Sequence, residues 1–407
     1  MATALSRATN NARKAIIIFI IFAIFTFVAQ FVGDLIKPAT GTGPAIGTSS
    51  GYKNIDNALG AQIPQPQVNS ITLADGTQAQ FGLANSGVLP KMPPTVNVYE
   101  IQQPRFFLLD DDNAAKTASR FGLKASDKRP KLSENILLWQ NSSLSRTFTY
   151  NKSDHIFNFK ASYTLDSSAT NRENLVTAAD YATSAPNIVS TLVGSNIAFS
   201  GAHSRIDFLN VSGQSNFTSA EPDKARYARI AVYKNIEASS LKQGYTPAAG
   251  DKNPAVIMNA EVHKYNYLDA PAVAVVQGKL DKSETDYLSF DYKEYSYGNV
   301  GIYSLISSED AWGNIQNNKG YLYWLKKQTD NTFSPQEKLN VLTFDVDATK
   351  VRVIYIEPDA WVENEPWTHY LQPFYIFEGT AILQGGIRAD FAFLTEAMAS
   401  TSYVAQK

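Results

Sequence analysis

The densest run of chemistry-bearing residues in the chain is Glu357-Pro358-Asp359-Ala360-Trp361-Val362-Glu363-Asn364-Glu365-Pro366-Trp367-Thr368-His369-Tyr370. It places four carboxylates, two tryptophans, a histidine and a tyrosine within fourteen positions. Aromatic faces beside carboxylates suit a sugar ring or a cationic peptide, through stacking, hydrogen bonding and charge. Trp361, Glu363, Glu365, Trp367, His369 and Tyr370 are therefore the candidate binding residues. Glu363 and Glu365 could also serve as an acid/base pair on a glycan or peptide, with one carboxyl keeping its proton through burial. The plainer alternative is a solvated loop between two strands, its tryptophans folded back on the sheet.

Other candidate motifs lack the context their chemistry needs. Gly47-Thr48-Ser49-Ser50-Gly51 has the spacing of a hydrolase nucleophile elbow, but that turn requires a strand before it and a helix after it. Ser239-Ser240-Leu241-Lys242 matches S-x-x-K without the companion S-D-N or K-T-G motifs. His155, His203, His263 and His369 show no metal-ligand spacing, and there is no H-E-x-x-H. Asp345-Val346-Asp347 opens like a calcium loop, yet Lys350 stands where glycine is needed and Ile356 where the closing glutamate belongs. Asp110-Asp111-Asp112 reads as a helix cap rather than a cation site. The absence of cysteine removes disulfides, thiolate metal sites and cysteine nucleophiles together. No catalytic residue, metal or cofactor is expected from these residues.

The elements that must hold the loop are legible in outline. The chain has 407 residues, 44% of them apolar and 12% aromatic. Charged residues make up 18%, below the roughly 25% of an average globular domain, so the composition favours packed cores over disorder. A formal net charge of −2 lacks the concentrated positive footprint of a nucleic-acid binder. Ala15 to Gly33, AIIIFIIFAIFTFVAQFVG, carries no charge and matches the ~20 helical residues that cross a bilayer core. Arg7, Arg13 and Lys14 precede it and no acidic residue does, which keeps the N-terminus cytoplasmic and exports the rest. No convincing cleavage site follows before Pro38, so an uncleaved signal-anchor is expected, contacting the lipid bilayer through residues 15–36.

The expected organisation is a cytoplasmic tail (1–14), an anchor (15–36) and a stalk with a Pro-rich extended segment (37–94). Two α+β units of antiparallel sheet with short helices follow, at 95–238 and 253–403. A hairpin is expected around Asp75-Gly76. Helices are expected from the Asp110 cluster to Gly122, over Arg172–Thr183, from Glu221-Pro222, and from Ser307 with Asp310 completing a capping box. Strands are read from period-two alternation, as in Phe157, Phe159 and Ala161. The stretch Ala238–Pro254, rich in small and turn residues, is the expected boundary between the units. Tyr287, Phe290, Tyr292, Tyr295, Tyr297 and Tyr303 would form either an interface or a solvated face. The sequons at Asn141, Asn151, Asn210 and Asn216 matter only on a eukaryotic secretory route, and a long exported chain without disulfides points to a bacterium instead.

Ser307-Ser308-Glu309-Asp310-Ala311-Trp312 through Gly320-Tyr321-Leu322 resembles the helix of PepSY-type modules. Pro373-Phe374-Tyr375-Ile376-Phe377-Glu378-Gly379, leading to Phe391-Ala392-Phe393, resembles their closing hairpin. The whole layout is similar to membrane-anchored regulatory ectodomains of two-component kinases, and to single-pass bacterial envelope proteins. That resemblance implies binding or inhibition of a membrane or envelope protein, not chemistry. The expected function is thus a non-catalytic single-pass protein whose extracytoplasmic domains bind such a partner. The alternatives are an envelope glycan or peptide hydrolase using the 357–370 loop, and a structural subunit of a surface or secretion assembly.

Overall fold

The computed structural model describes residues 58–404, apart from 86, 104–109, 131–132, 134, 144, 153–155, 162–174, 194–198, 200–201, 213–215, 240–257 and 279–285. The described residues all fall within the compact unit Tyr52–Lys407. The expected tail, the anchor at 15–36 and the Gly47–Gly51 motif lie outside the described residues, as does His155. Among the described residues, no helix is long and apolar enough to cross a membrane.

The described fold is mostly β-sheet with few helices. Its elements, in chain order, are β1 (Gln80–Ala84), β2 (Thr95–Ile101), α1 (Asp110–Arg120), β3 (Ile136–Asn141), β4 (Arg146–Asn151), β5 (Ile156–Ala161), α2 (Ala178–Val193), β6 (His203–Ser212), β7 (Asn216–Ser219) and β8 (Tyr227–Ser239). There follow β9 (Met258–Lys264), β10 (Ala272–Gln277), β11 (Asp286–Tyr292), β12 (Tyr297–Ser304), α3 (Ser308–Gln316), β13 (Tyr321–Lys327), β14 (Val341–Asp347), β15 (Arg352–Glu357), β16 (Tyr370–Leu383) and β17 (Arg388–Glu396).

One antiparallel sheet runs β3-β4-β5-β11-β10-β8-β6-β7. Period-two alternation sends Leu137, Trp139, Phe148, Phe157, Phe159, Ile230, Val232 and Phe290 to one face. There Ala114, Ala118 and Phe121 of α1 and Tyr181, Ala185 and Ile188 of α2 cover them. The other sheet is built on the long β16. Strand β17 lies on one side of it and β13 beyond. On its other side β14 and β15 follow one another, parted by the short turn Ala348–Lys350. Strand β1 adds parallel to β14, and β9 adds parallel to β15. Gly379 is required here: a Cβ at this position would lie 2.1 Å from the Asp345 carbonyl oxygen across the β14–β16 pairing. The core between this sheet, the β2–β12 pair and α3 holds Val96, Val98, Trp312, Ile315, Phe344, Tyr355, Tyr375, Phe377 and Phe391.

Strand β8 belongs to both sheets. Its first half pairs with β6 and β10, and its second half with β9. Strands β10 and β11, expected in the unit 253–403, therefore complete the sheet of the unit 95–238. In the same way β2 pairs with β12 and with the start of β16. The stretch Ala238–Pro254 does not separate the sheets: backbone pairing, which small and turn residues do not report, crosses it. The start and end of the described chain also meet, with Ile63 N–H donating to the Ser402 carbonyl at 3.0 Å and Val404 N–H to the Ile63 carbonyl at 3.0 Å.

Several local expectations need correction. Asp75-Gly76 does turn, with Gly76 at φ 76°, but no hairpin forms, because β1 finds a parallel partner in β14. Helix α2 starts at Ala178 rather than Arg172, where Thr177 Oγ1 accepts from Asp180 N–H at 3.2 Å and Asp180 Oδ2 accepts from Thr177 N–H at 3.2 Å. It then continues through Pro186 to Val193. Glu221 opens a single turn, not a helix, with Ala225 N–H returning to its carbonyl at 3.0 Å. Of the aromatic residues at 287–303, Phe290, Tyr295 and Tyr303 are buried within the fold, and Tyr287, Tyr292 and Tyr297 are half-buried. Ser307 does cap α3, its Oγ accepting from Asp310 N–H at 3.0 Å. The Asp310 carboxylate accepts from the Ser307 hydroxyl at 2.8 Å, which is the N-cap without the reciprocal half of a capping box.

Candidate functional site

The loop between β15 and β16 closes on itself. Thr368 is buried and organises it. Its Oγ1 lies 2.7 Å from the Glu365 carbonyl and accepts from Val362 N–H at 3.0 Å. A short helical turn over Pro366–His369 begins at Pro366, whose fixed φ suits a first turn. His369 Nε2 sits 2.8 Å from the Val362 carbonyl, and its ring stacks on Trp361 at 4.3 Å and 11°. Trp361 in turn packs against the main core. Trp367 meets Tyr265 edge-on at 5.8 Å. Burial, then the carboxylates of Asp359 and Glu365, push the Tyr265 phenol up.

The sequence-selected residues therefore divide. Trp361, Trp367 and His369 are half-buried braces of the loop, and Tyr370 is the first residue of β16, paired opposite Glu100. Glu363 and Glu365 stand exposed with Asn364 between them. A general acid for glycan cleavage needs a carboxyl withdrawn from water, and neither of these is. What the loop offers is an acidic ridge of Asp359, Glu363 and Glu365 on a frame made rigid by its own hydrogen bonds.

Beneath the loop lie charged residues that the sequence did not single out as candidates, although Glu357 opens the run itself. Glu357, the last residue of β15, is fully buried, and Lys264, its register partner at the end of β9, is 4% exposed. Lys264 Nζ donates to Glu357 Oε2. The other oxygen, Oε1, accepts from Tyr297 O–H at 2.8 Å and from Tyr295 N–H at 3.1 Å. Burial, then the Glu357 carboxylate, hold the Tyr297 phenol well above its ordinary range, so it remains a donor. Beside it Lys234 pairs with Glu294, which also accepts from Tyr292 O–H at 2.6 Å.

A second charged cluster lies further along β9. Glu261 is bracketed by His263 Nε2 at 3.0 Å, His203 Nδ1 at 3.2 Å and Arg352 at 3.6 Å. Arg352 also pairs with Glu378, which accepts from Tyr267 O–H at 2.6 Å. Tyr233 stacks on the His263 ring at 4.4 Å. Burial alone would raise the Glu261 carboxyl, but the His263 hydrogen bond and the neighbouring Arg352 and His203 bring it to about 2. Burial drives His263 the other way from its usual partner effect, below 6.5 despite Glu261. The neutral ring then donates from Nε2 to Glu261, and its Nδ1 is a buried acceptor without a partner among the described residues.

Metal-binding geometry does not arise: among the described residues no group of three His, Asp or Glu side chains could hold an ion. Asp111 is taken by Lys128 at 3.2 Å and Lys152 at 3.3 Å, and Asp347 by Thr349. The signal for Lys264 and Glu357 was present only as charged ends of apolar strands. Their pairing spans 93 residues of sequence through a parallel contact, which no local pattern encodes. No protein-family model, no curated protein and no solved structure matches the chain.

Proposed function

We propose that the protein is a non-catalytic, single-pass membrane protein whose extracytoplasmic part binds a basic surface on a membrane or envelope protein. The uncharged run Ala15–Gly33 and its basic flank support the anchor and its orientation. The observation that carries the binding reading is the 357–370 loop: a self-braced frame that leaves Glu363 and Glu365 in water, where a carboxylate meets a partner's Lys or Arg. The resemblance to regulatory ectodomains agrees with this role. The hydrolytic alternative has no such support, because its two carboxylates are exposed. A structural subunit would expose large contiguous apolar patches. The large apolar side chains left exposed among the described residues are Val88, Val300, Leu342, Ile387 and Val404, none of them aromatic.

The test is crosslinking of the full-length protein in native membranes, followed by capture, for the wild type and for Glu363→Lys/Glu365→Lys. A membrane or envelope protein that is recovered with the wild type, weakened by salt and lost with the double variant is the expected result. Equal recovery with both forms would move the contact off this loop, and recovery of glycan fragments instead would overturn the reading.

A further inference from the structure

We propose that Lys264 and Glu357 condense, without a helper enzyme, into an intramolecular isopeptide bond that staples β9 to β15. The two residues are direct register partners on adjacent parallel strands, and both are buried. Lys264 Nζ already contacts Glu357 Oε2. An ordinary buried ion pair would use the same two residues. Three features favour condensation over it.

The first is the treatment of the spectator oxygen. Oε1 is held by a backbone N–H and a phenol O–H, from Tyr295 and Tyr297. These are neutral, preset donors at the position where negative charge builds when an amine attacks Cδ. The second is dryness. Two charges withdrawn from water carry a large desolvation cost, which disappears when both become one neutral amide. With solvent excluded and the nucleophile fixed beside its target, the effective concentration of amine is far above any attainable in solution, and this offsets the preference of water for hydrolysis. The Tyr295 ring, 5.6 Å from Nζ, helps close the site. The third is need. The chain has no cysteine, so disulfide stapling is closed to it.

The step balances. A proton passes from Nζ to Oε2, leaving a neutral amine and a carboxylic acid. The amine attacks Cδ, forming the N–C bond, and Oε1 carries the charge of the tetrahedral intermediate against the two donors. A second proton moves from Nζ to the Oε2 hydroxyl as the Cδ–Oε2 bond breaks, and water leaves. One amide and one water form, and nothing is oxidised or reduced. Tyr297 is the catalytic donor, since it touches the reacting carboxyl group.

The experiment is mass spectrometry of the full-length protein, purified in detergent and then denatured, with proteolytic mapping. The expected wild-type chain is one water lighter than its sequence, with a digestion product joining the peptide of Lys264 to that of Glu357. Lys264→Arg keeps the charge pair but should run at full mass, with no joined peptide and a lower unfolding temperature. Tyr297→Phe should form the link several-fold more slowly after refolding, while Glu294→Gln, at the neighbouring pair, should leave it intact. Ring closure at Asp75-Gly76 also loses one water, so the joined peptide is the deciding readout. A folded wild type at full mass, or a loss of water mapped to Asp75, overturns the proposal whether or not the variants fold.

Discussion

His263 shows how far a single side chain departs from what its place in the sequence suggests. As one of four scattered histidines it carries no motif, and alternation along β9 only assigns it a face. Its bond to Glu261 is local, two residues back along β9, but its burial and its stack on Tyr233 need β8 beside that strand. The consequence is a defined pH response. Below 6.5 the unfolded chain takes up a proton that the buried ring refuses, so stability falls as pH falls. Glu261, held at about 2 against its ordinary 4.5, adds stability that is present above 4.5 and is lost as pH falls toward 2. Both slopes have the same sign. Denaturant titration should therefore show a midpoint that declines from about pH 7 to about pH 5. His263→Gln, which can still offer an N–H to Glu261, should flatten that decline relative to the wild type. An unchanged slope in this variant would mean that the ring is protonated in the fold. The candidate loop residues were legible by type at this scale. Which of them brace and which face water was not, because that depends on Thr368, a residue with no chemical signature of its own.

At the scale of elements, local chemistry was read correctly where it was self-contained. Ser307 with Asp310, and Gly122 with φ 76° closing α1, are capping signals complete within a few residues. Where the deciding partner was remote, local reading failed: the turn at Asp75-Gly76 looks like a hairpin until β14 claims β1 in parallel. Helix α2 passes through Pro186 because Tyr181, Ala185, Ile188 and Val189 bury a face on the sheet, and this packing outweighs the lost backbone bond. The 358–369 loop is an element of the self-contained kind, and its integrity hangs on one hydroxyl. Thr368→Val keeps the shape and the Thr368 N–H bond to the Glu365 carbonyl but strands the Val362 N–H, and should cost about 1–3 kcal/mol. Urea unfolding should read that loss, and limited proteolysis should cut first between 358 and 369. Resistance equal to the wild type would assign the loop's order to Trp361 and Trp367 instead.

At the scale of the whole molecule, the composition and alternation indicated an α+β protein dominated by antiparallel sheet, and they could not indicate how the sheets share strands. Splitting the chain at Ala238–Pro254 is the natural inference from turn residues, yet β8 serves both sheets and β5 waits for β11. A fragment spanning 95–238 would lack β10 and β11 from the middle of its sheet, leaving β5 and β8 with bare edges. That fragment is expected to aggregate or remain unfolded, whereas 58–404 should unfold in one cooperative transition. Circular dichroism and calorimetry on the two would decide it. Two separate transitions in 58–404, or a folded fragment, would restore independent units.

The clasp between Ile63 and residues 402–404, together with the parallel seat of β1 on β14, also sets a timetable. The first residues of the fold have no backbone partner until nearly the last have been synthesised, and loops of this size close late. A ribosome or a translocation channel delivering the chain from its N-terminus would feed out most of its length before the structure could shut. Until then the bare edges of β1 and β2 stay open to pairing elsewhere, which makes the interval after emergence, more than the finished fold, the stage at which the chain is exposed to aggregation.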